Sequence, residues 1–253
     1  MDLQTQEKNE LIEKTNETEI IIQITESINK LLCSESIKIT SDIVPENAIK
    51  YAFFVLQETV DKNGKNALQS CTKASIQKAI LKMLVLGLDP SKKQCYFIPY
   101  GNRLELVISY FGKIALAKRC GMLTVAANVV YKDDVFSIYV DKETGFTKLS
   151  EHIPNLQSKD IIGAYAVITM KQNEEKYSNL VYMSIDEIKK CWMINKLYSI
   201  TGEGIHSKFP EEMCKKTVIS RALKLIINSS YDVQTIDEDD ITKEDEKQIT
   251  IVE

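Results

Sequence analysis

The spacing of apolar residues changes from a helical period to a period of two near residue 90, and this change constrains the fold more than any other feature. Between residues 20 and 86 apolar residues recur every three or four positions, as in amphipathic helices. Between residues 94 and 183 they alternate along short segments, which predicts strands. A last helical pattern covers 210–228. The sequence therefore predicts an α+β fold with N-terminal helices, a central, mostly antiparallel sheet and a C-terminal basic amphipathic helix.

Turn residues mark the borders of these segments. Gly87 followed by apolar Leu88 and then Pro90 is a helix stop signal, and Thr72 or Ser75 can cap the start of that helix. The pair Gly101-Asn102 lies between two alternating segments and predicts a type II′ hairpin. Leu104, Leu106, Ile108 and Tyr110 are expected to share one face of its second strand, and Pro99 favours an edge position for the first.

Further elements follow from the same patterns. Short helices are expected at Phe111–Cys120 and from a Ser184 cap to Trp192. The alternating segments predict strands at Thr124–Tyr131, Val135–Val140, Ile161–Met170 and Tyr177–Met183. A buried helix is expected at Ala48–Val60, where we place Phe53 and Phe54 in the core; a contact between protomers is the alternative for these two side chains.

Charge is segregated along the chain. The whole chain has a formal net charge of −4, with acidic ends on a basic body. We predict a flexible acidic N-terminus at 1–19, one domain at 20–231 and an acidic disordered tail at 232–253. Within the domain we expect a helical lobe at about 20–88, a hairpin, helix and sheet at 94–192, and the last helix at about 210–228. The tail is either solvated, or it competes with a polyanion for the body or binds a partner.

Two stretches of the body concentrate cations and indicate an anionic partner, although lysines on a solvated face are the common alternative. The first stretch contains Lys92, Lys93, Arg103, Lys113, Lys118 and Arg119 against Glu105. The second contains Lys208, Lys215, Lys216, Arg221 and Lys224 against Glu211 and Glu212.

The last helix has a polar arc. At 100° per residue one arc of about 140° contains Lys216, Thr217, Ser220, Arg221 and Lys224. The opposite side contains Val218, Ile219, Ala222, Leu223, Leu225 and Ile226. Lys215 falls among the apolar residues, where it either snorkels to solvent or points into a groove.

Motifs for several kinds of chemistry are missing. The sequence has no phosphate-binding loop, no HExxH and no GxSxG. Its six cysteines form no CxxC, and its two histidines are far apart, so no zinc site is expected. Asp133-Asp134 and Asp239-Asp240 are either Mg²⁺ ligands or solvated acids. Because these catalytic motifs are missing, we expect a protein that is not an enzyme. No apolar run is long enough to span a bilayer, and the polar N-terminus is no signal peptide. We therefore expect a cytoplasmic protein without a membrane partner.

Two blocks of sequence resemble the RecT family of phage recombination proteins, which anneal single-stranded DNA. The first block, GLDPSKKQCYFIPYGNRLELVISYFGKIALAKRCG at 87–121, contains the GLxP turn, the CYxxPxGN hairpin and the Tyr-x-Gly of that family. The second, EEMCKKTVISR at 211–221, resembles its EEMxxKTxxRR helix. The resemblance covers about residues 45–230. Departures are Phe111 in place of a basic residue, Ser220 in place of an arginine, and His206 in place of a tryptophan.

This resemblance implies annealing of complementary strands without ATP, within rings or helical filaments of identical protomers. It implies a β-β-β-α core, a basic groove for DNA, and no cofactor; Mg²⁺ is expected only to modulate annealing. The implied partners are single-stranded DNA, the annealed duplex, a phage 5′→3′ exonuclease and the host single-strand-binding protein, in the cytoplasm of a bacterial host.

Charge and resemblance together give a hypothesis for the site. A groove between the hairpin–helix region and the last helix holds the DNA backbone, because annealing needs neutralised phosphates and free base edges. The expected phosphate contacts are Arg103, Lys113, Lys118, Arg119, Lys215, Lys216, Thr217, Arg221 and Lys224, with Lys92 and Lys93 nearby. Tyr96, Tyr100 and Phe111 either stack on bases or pack in the core.

Other functions stay open at this level. A passive single-strand binder would carry the same cations but would not speed up strand pairing. A nuclease would use Asp133, Asp134 or the tail with Mg²⁺. A phage structural protein would show no salt-sensitive binding to DNA.

Overall fold

The computed structural model describes residues 3–33, 39, 43–172, 175–194 and 204–229. The chain forms two compact units, Met1–Ile108 and Ser109–Glu253. The single domain predicted for 20–231 stays a prediction. The tail predicted to be disordered at 232–253 lies outside the described residues.

The first unit consists of helices and one hairpin. In chain order its elements are α1 (Leu3–Cys33), α2 (Pro45–Glu58), α3 (Ala67–Ser70), α4 (Lys73–Val85), a 3₁₀ turn (Pro90–Lys92), β1 (Cys95–Tyr100) and β2 (Arg103–Ile108). Residues 3–19, for which the sequence predicted a flexible terminus, belong to helix α1. Helix α4 packs on strand β2 and on α1 and α2. This core buries Ile80, Met83 and Phe97 completely.

Helix α4 begins and ends at the residues that the sequence singled out. The Thr72 hydroxyl accepts a hydrogen bond from the Ser75 N–H. At the other end Gly87 has a φ of +61°. The Gly87 N–H donates to Leu84 O and the Leu88 N–H donates to Met83 O, both at 3.0 Å. These two bonds form a Schellman motif, which satisfies carbonyls that the helix end would leave unpaired.

The hairpin of β1 and β2 is confirmed, with Tyr100 paired to Arg103 across the turn. Gly101 has a φ of +61°, whereas Asn102 lies outside the positive-φ region, which is the pattern of type II′ rather than I′. Cys95 and Phe97 are the buried, inward-facing residues of the first strand, and Tyr96 is half-buried. The prediction for Tyr110 is wrong, because Ser109 begins a helix there and ends the alternation.

The second unit combines helices with two antiparallel sheets. In chain order its elements are α5 (Tyr110–Arg119), β3 (Met122–Tyr131), β4 (Val135–Val140), β5 (Thr147–Ile153), β6 (Ile161–Gln172), β7 (Glu175–Ser184), α6 (Ile185–Ile194), α7 (Ile205–Lys208) and α8 (Pro210–Asn228). Strand β5 was missing from the predicted set.

The main sheet has the order β3-β6-β7 and is covered on both faces. Helix α8 packs against all three strands, and small residues such as Ala164 and Ala166 lie buried in β6. Val130, Tyr165 and Leu180 point to the opposite face of the sheet, where they form a buried cluster. Phe136 of the β4–β5 ribbon packs on that cluster. The α+β prediction is confirmed, and three antiparallel strands followed by helices match the expected β-β-β-α core.

Two predictions for apolar side chains in α2 differ in outcome. Phe53 is buried, as expected, but Phe54 is 63% exposed, so its placement in the core is wrong. Adjacent helical residues lie 100° apart, and Ile49, Ala52, Phe53 and Leu56 define the buried side.

Candidate nucleic-acid interface

Helices α5 and α8 lie packed together in the second unit and carry most of the predicted phosphate contacts. The Ser109 hydroxyl fixes the start of α5 by accepting a hydrogen bond from the Gly112 N–H at 3.1 Å. Pro210 starts α8, and Glu211 and Glu212 follow in its first turn, where carboxylates favour the helix dipole. Local sequence therefore defines where both helices begin.

The exposed cations of this helix pair are Lys118 and Arg119 at the end of α5 and Arg221 in α8. Cations in a last turn also stabilise the helix dipole. Lys224 is half-exposed, one turn beyond Arg221. Lys215 is half-exposed and forms an ion pair with Glu212 at 3.0 Å, so it extends to solvent rather than into a groove.

Two of the predicted contacts are buried. Lys113 of α5 is 3% exposed and Lys216 of α8 is 9% exposed. In this conformation, a side chain buried this deeply does not reach a phosphate that is bound at the protein surface. Ser220, which the helical wheel placed on the polar arc, is buried as well.

The helical wheel was wrong for α8 because it assumed one packed side and one solvated side. The main sheet contacts α8, and helices α5, α6 and α7 contact it too. Lys216 and Ser220 therefore lie among neighbours, whereas Leu225, assigned to the packed side, is 77% exposed.

Thr217 is bound within the protein. Its hydroxyl donates to Met213 O at 2.8 Å and accepts from the indole Nε1–H of Trp192, also at 2.8 Å. A hydroxyl has a single hydrogen, so Thr217 offers no donor to a phosphate while these bonds persist. The Trp192 ring also contacts the buried His206, with ring centroids 4.7 Å apart.

An acidic residue lies beside the exposed Arg221. Glu187 occupies the first turn of α6, where it forms a capping box with Ser184: the Ser184 N–H donates to Glu187 Oε2 at 2.9 Å, and the Glu187 N–H donates to Ser184 Oγ at 3.3 Å. The bonds from Ser184 hold the pKa of the Glu187 carboxyl below its usual value, and the charge of Arg221 lowers it further. Sequence spacing gave no indication of this neighbour.

The remaining predicted contacts belong to the first unit. Arg103 is exposed, Tyr96 and Tyr100 are half-buried, and Lys92 forms a 3.7 Å ion pair with Asp89. Lys93 is exposed, with a φ of +54°. Because these residues and helices α5 and α8 lie in different units, the groove between the hairpin–helix region and the last helix stays a prediction. Phe111, in α5, is exposed and its ring contacts that of Tyr110 at 4.1 Å.

A buried polar network under the β4–β5 ribbon was missed by the sequence analysis. His152 bonds through Nε2 to Asp134 Oδ2 at 3.0 Å and through Nδ1 to the Tyr165 hydroxyl at 2.9 Å. Asp134 also accepts from the backbone N–H groups of Tyr131 and Asn155. Burial raises the pKa of the Asp134 carboxyl, but these backbone bonds and His152 outweigh burial and leave it below its usual value.

These contacts bear on the acids considered as Mg²⁺ ligands. The oxygens of Asp134 bind groups of the protein, and Asp133 Oδ2 accepts from the Ser158 hydroxyl at 3.0 Å. In the part of the chain that the structure describes, no three metal-ligating side chains cluster. Asp239 and Asp240 lie outside that part. Among the helices that the structure describes, none is both long and apolar enough to cross a membrane.

Fold and surface together define an α+β protein with a cationic helix pair on a three-stranded antiparallel sheet. A sequence profile of the RecT family matches residues 48–251, and the chain therefore belongs to this family. It is a RecT-family recombination protein, and such proteins are in general annealing proteins that bind DNA rather than catalytic enzymes. The match extends further towards the C-terminus than residue 230, where the resemblance described above ends. No curated protein matches the chain.

Proposed function

We propose that the protein binds single-stranded DNA through the exposed cations of α5 and α8 and anneals complementary strands without ATP in phage-type homologous recombination. The observation that carries this proposal is the joint exposure of Lys118, Arg119 and Arg221 on two packed helices of a RecT-family chain. Cations that bind phosphates leave the base edges free to pair, which is what annealing requires.

The hairpin residues are proposed as a second contact. Arg103 is exposed opposite half-buried Tyr100, so a phosphate and a base can be bound side by side at the turn. Stacking on Tyr96 or Tyr100 would contribute about 1–3 kcal/mol per base. Lys92 and Lys93 precede β1 at the opposite end of the hairpin from this turn, and are proposed to add charge there. Buried Lys113 and Lys216, and Thr217 with its hydroxyl already bound, are left out of the proposed phosphate contacts.

The proposal includes the setting in which annealing takes place. Protomers assemble along the DNA in a ring or helical filament, because one protomer covers too few nucleotides to hold a long strand. A phage 5′→3′ exonuclease supplies the single strands, and the host single-strand-binding protein is a further partner. No cofactor takes part, Mg²⁺ modulates the rate, and the reaction takes place in the bacterial cytoplasm.

The salt dependence of binding tests the phosphate contacts. With Lys118, Arg119, Arg221 and Lys224 each neutralising one phosphate, the logarithm of the binding constant should fall against the logarithm of salt concentration with a slope of about −3 per protomer, from 0.7 per phosphate. Fluorescence anisotropy of a labelled single strand of mixed sequence between 50 and 300 mM NaCl measures this slope. A slope near zero would contradict the proposal and favour a structural protein of the phage.

Strand pairing separates annealing from passive binding, the alternative function with the same surface. A passive binder would give the same salt slope but would leave the pairing rate of complementary strands unchanged. Shortening of end-labelled DNA in the presence of Mg²⁺ would instead indicate a nuclease.

A further inference from the structure

Strand β4 exposes apolar side chains on both faces of the two-stranded ribbon that it forms with β5. Successive strand residues point to opposite faces, so Val135 and Tyr139 lie on one face and Ile138 and Val140 on the other. All four are between 38% and 62% exposed. The edge of β4 that points away from β5 lies between these two exposed faces.

This edge lacks the usual protection against strand pairing. None of the six residues of β4, VFSIYV, is charged, and none is proline. Among the described residues β4 pairs only with β5, which leaves its other edge outside any ladder. Natural proteins protect such edges with lysine, proline or a cover. An uncharged edge of this length is suited to accept another strand.

The ribbon is attached at both ends, so the edge is presented in one conformation. At the base, His152 of β5 bonds to Asp134 and Tyr165. At the tip, the ring of Phe146 stacks on that of Tyr177 with centroids 5.5 Å apart, and the Thr147 N–H donates to Asn179 Oδ1 at 3.1 Å. A preorganised edge loses less conformational entropy when a partner binds.

The same unit carries a second edge of matching character. Strand β3 ends the sheet order β3-β6-β7, and its ten residues, MLTVAANVVY, include no charged side chain. Leu123, Thr124, Ala126 and Asn128 along it are exposed. Each copy of the chain thus has one uncharged edge at β3 and one at β4, so any number of copies contains as many β3 edges as β4 edges.

We propose that the edge of β4 in one protomer pairs with the edge of β3 in a second copy of the chain, joining protomers head to tail. Unlike edges that meet in this way generate a ring if the rotation closes and a filament if it does not. The proposal rests on the proposed function, in which neighbouring protomers follow one DNA strand. Neither edge carries a charged side chain, so the paired strands supply no cation of their own to the phosphates.

Three variants test the pairing. Tyr139→Lys with Val140→Lys places charge on both faces of β4, and Leu123→Lys with Thr124→Lys does the same on β3. Leu156→Lys is the matched control, because Leu156 is 96% exposed but lies outside the strands. Sedimentation velocity measures the mass of each protein with and without a single strand of about 60 nucleotides.

The wild type and Leu156→Lys should form multimers, while each double variant alone sediments as a protomer. A mixture of the two double variants should form dimers, because each retains the edge that the other lacks. The proposal is overturned if the wild type remains a protomer in both conditions, if the double variants assemble like the wild type, or if their mixture forms no dimer.

Binding of a strand of about five nucleotides, which has the four internal phosphates proposed for one protomer, tests the proposed function separately. The three variants should bind it no more weakly than the wild type, because each substitution adds a cation, and this result also shows that the double variants are folded. Failure of every protein to bind it would contradict the proposed function, whereas the masses would still decide the pairing of β3 with β4.

Discussion

The indole N–H of Trp192 in α6 donates a hydrogen bond to the hydroxyl of Thr217 in α8 across 2.8 Å. This bond attaches α6 to the part of α8 that carries Lys216 and Arg221. Thr217→Val keeps the shape of the side chain but leaves a buried N–H without its acceptor, at a cost of about 1–3 kcal/mol in the free energy of unfolding. Urea denaturation measures this loss.

The affinity of Thr217→Val for single-stranded DNA should stay within twofold of the wild type, because the hydroxyl serves the fold. Thr124→Val, at an exposed threonine of β3, is the control and should change the free energy of unfolding by less than about 0.5 kcal/mol. A tenfold loss of affinity without loss of stability would identify Thr217 as a DNA contact after all.

Arg221→Ala should weaken the binding of all single strands alike, by about fivefold at 50 mM NaCl, and reduce the magnitude of the salt slope by about 0.7. A phosphate contact carries no information on base sequence. Anisotropy titrations with poly-dT, poly-dA and a mixed strand measure the loss. Leu225→Ala, on the same helix, is the control and should leave affinity unchanged; a loss confined to one sequence would point to a base contact.

Glu187→Gln should strengthen DNA binding by about two- to fivefold at low salt, because it removes a carboxylate beside Arg221. Glutamine keeps the capping box with Ser184, so helix α6 retains its start. The gain should vanish in an Arg221→Ala background. Asp186→Asn removes the same charge from the same turn and serves as the control; an equal gain there would mean that only net charge matters.

Gly163→Ala should lower the free energy of unfolding by about 1–3 kcal/mol. A Cβ at this position of β6 would lie 2.7 Å from Met183 O and would overlap the Tyr182 hydroxyl. The carbonyl belongs to the paired strand and cannot rotate away. Gly204→Ala, where a Cβ would meet no atom within 4 Å, should cost less than about 0.5 kcal/mol in the same urea titration. Equal costs at both positions would contradict the packing of β6 against β7.

The charged carboxyl of Asp134 should stabilise the protein near neutral pH, and this stabilisation should be lost in acid. Because the carboxyl has a lowered pKa in the folded state, it contributes stability above its unfolded-state pKa of about 3.9, and this contribution is lost as the pH falls through the folded-state pKa. Urea titrations between pH 2.5 and 6 should show a shallower pH dependence for Asp134→Asn than for the wild type. Parallel pH curves for the two proteins would show that the charge of Asp134 does not stabilise the network around His152.

Local signals predicted much of the fold. The helix end at Gly87-Leu88 and the hairpin turn at Gly101-Asn102 are both present as expected. Each depends on a backbone conformation that neighbouring residues in the sequence determine. Strand β5 was missed because its sequence, TKLSEHI, has few apolar residues and a bulge interrupts its pairing with β4. Its structure depends on a partner strand that a periodicity pattern does not contain.

The candidate site was less predictable because burial depends on several neighbours at once. Exposure of Lys118, Arg119 and Arg221 agrees with a charged surface, whereas the burial of Lys113 and Lys216 results from packing of α5, α6, α7 and the sheet around α8. The proximity of Glu187 to Arg221 likewise joins two helices that no spacing rule relates.

The most direct measurement of the central claim is the pairing of two complementary labelled oligonucleotides, followed by fluorescence transfer without ATP, with and without Mg²⁺. The account predicts that the wild type accelerates pairing of complements at least tenfold over the spontaneous rate, leaves a non-complementary pair unjoined, and loses most of this acceleration in Arg221→Ala. Tight binding of single strands without faster pairing would contradict annealing and identify a passive single-strand binder.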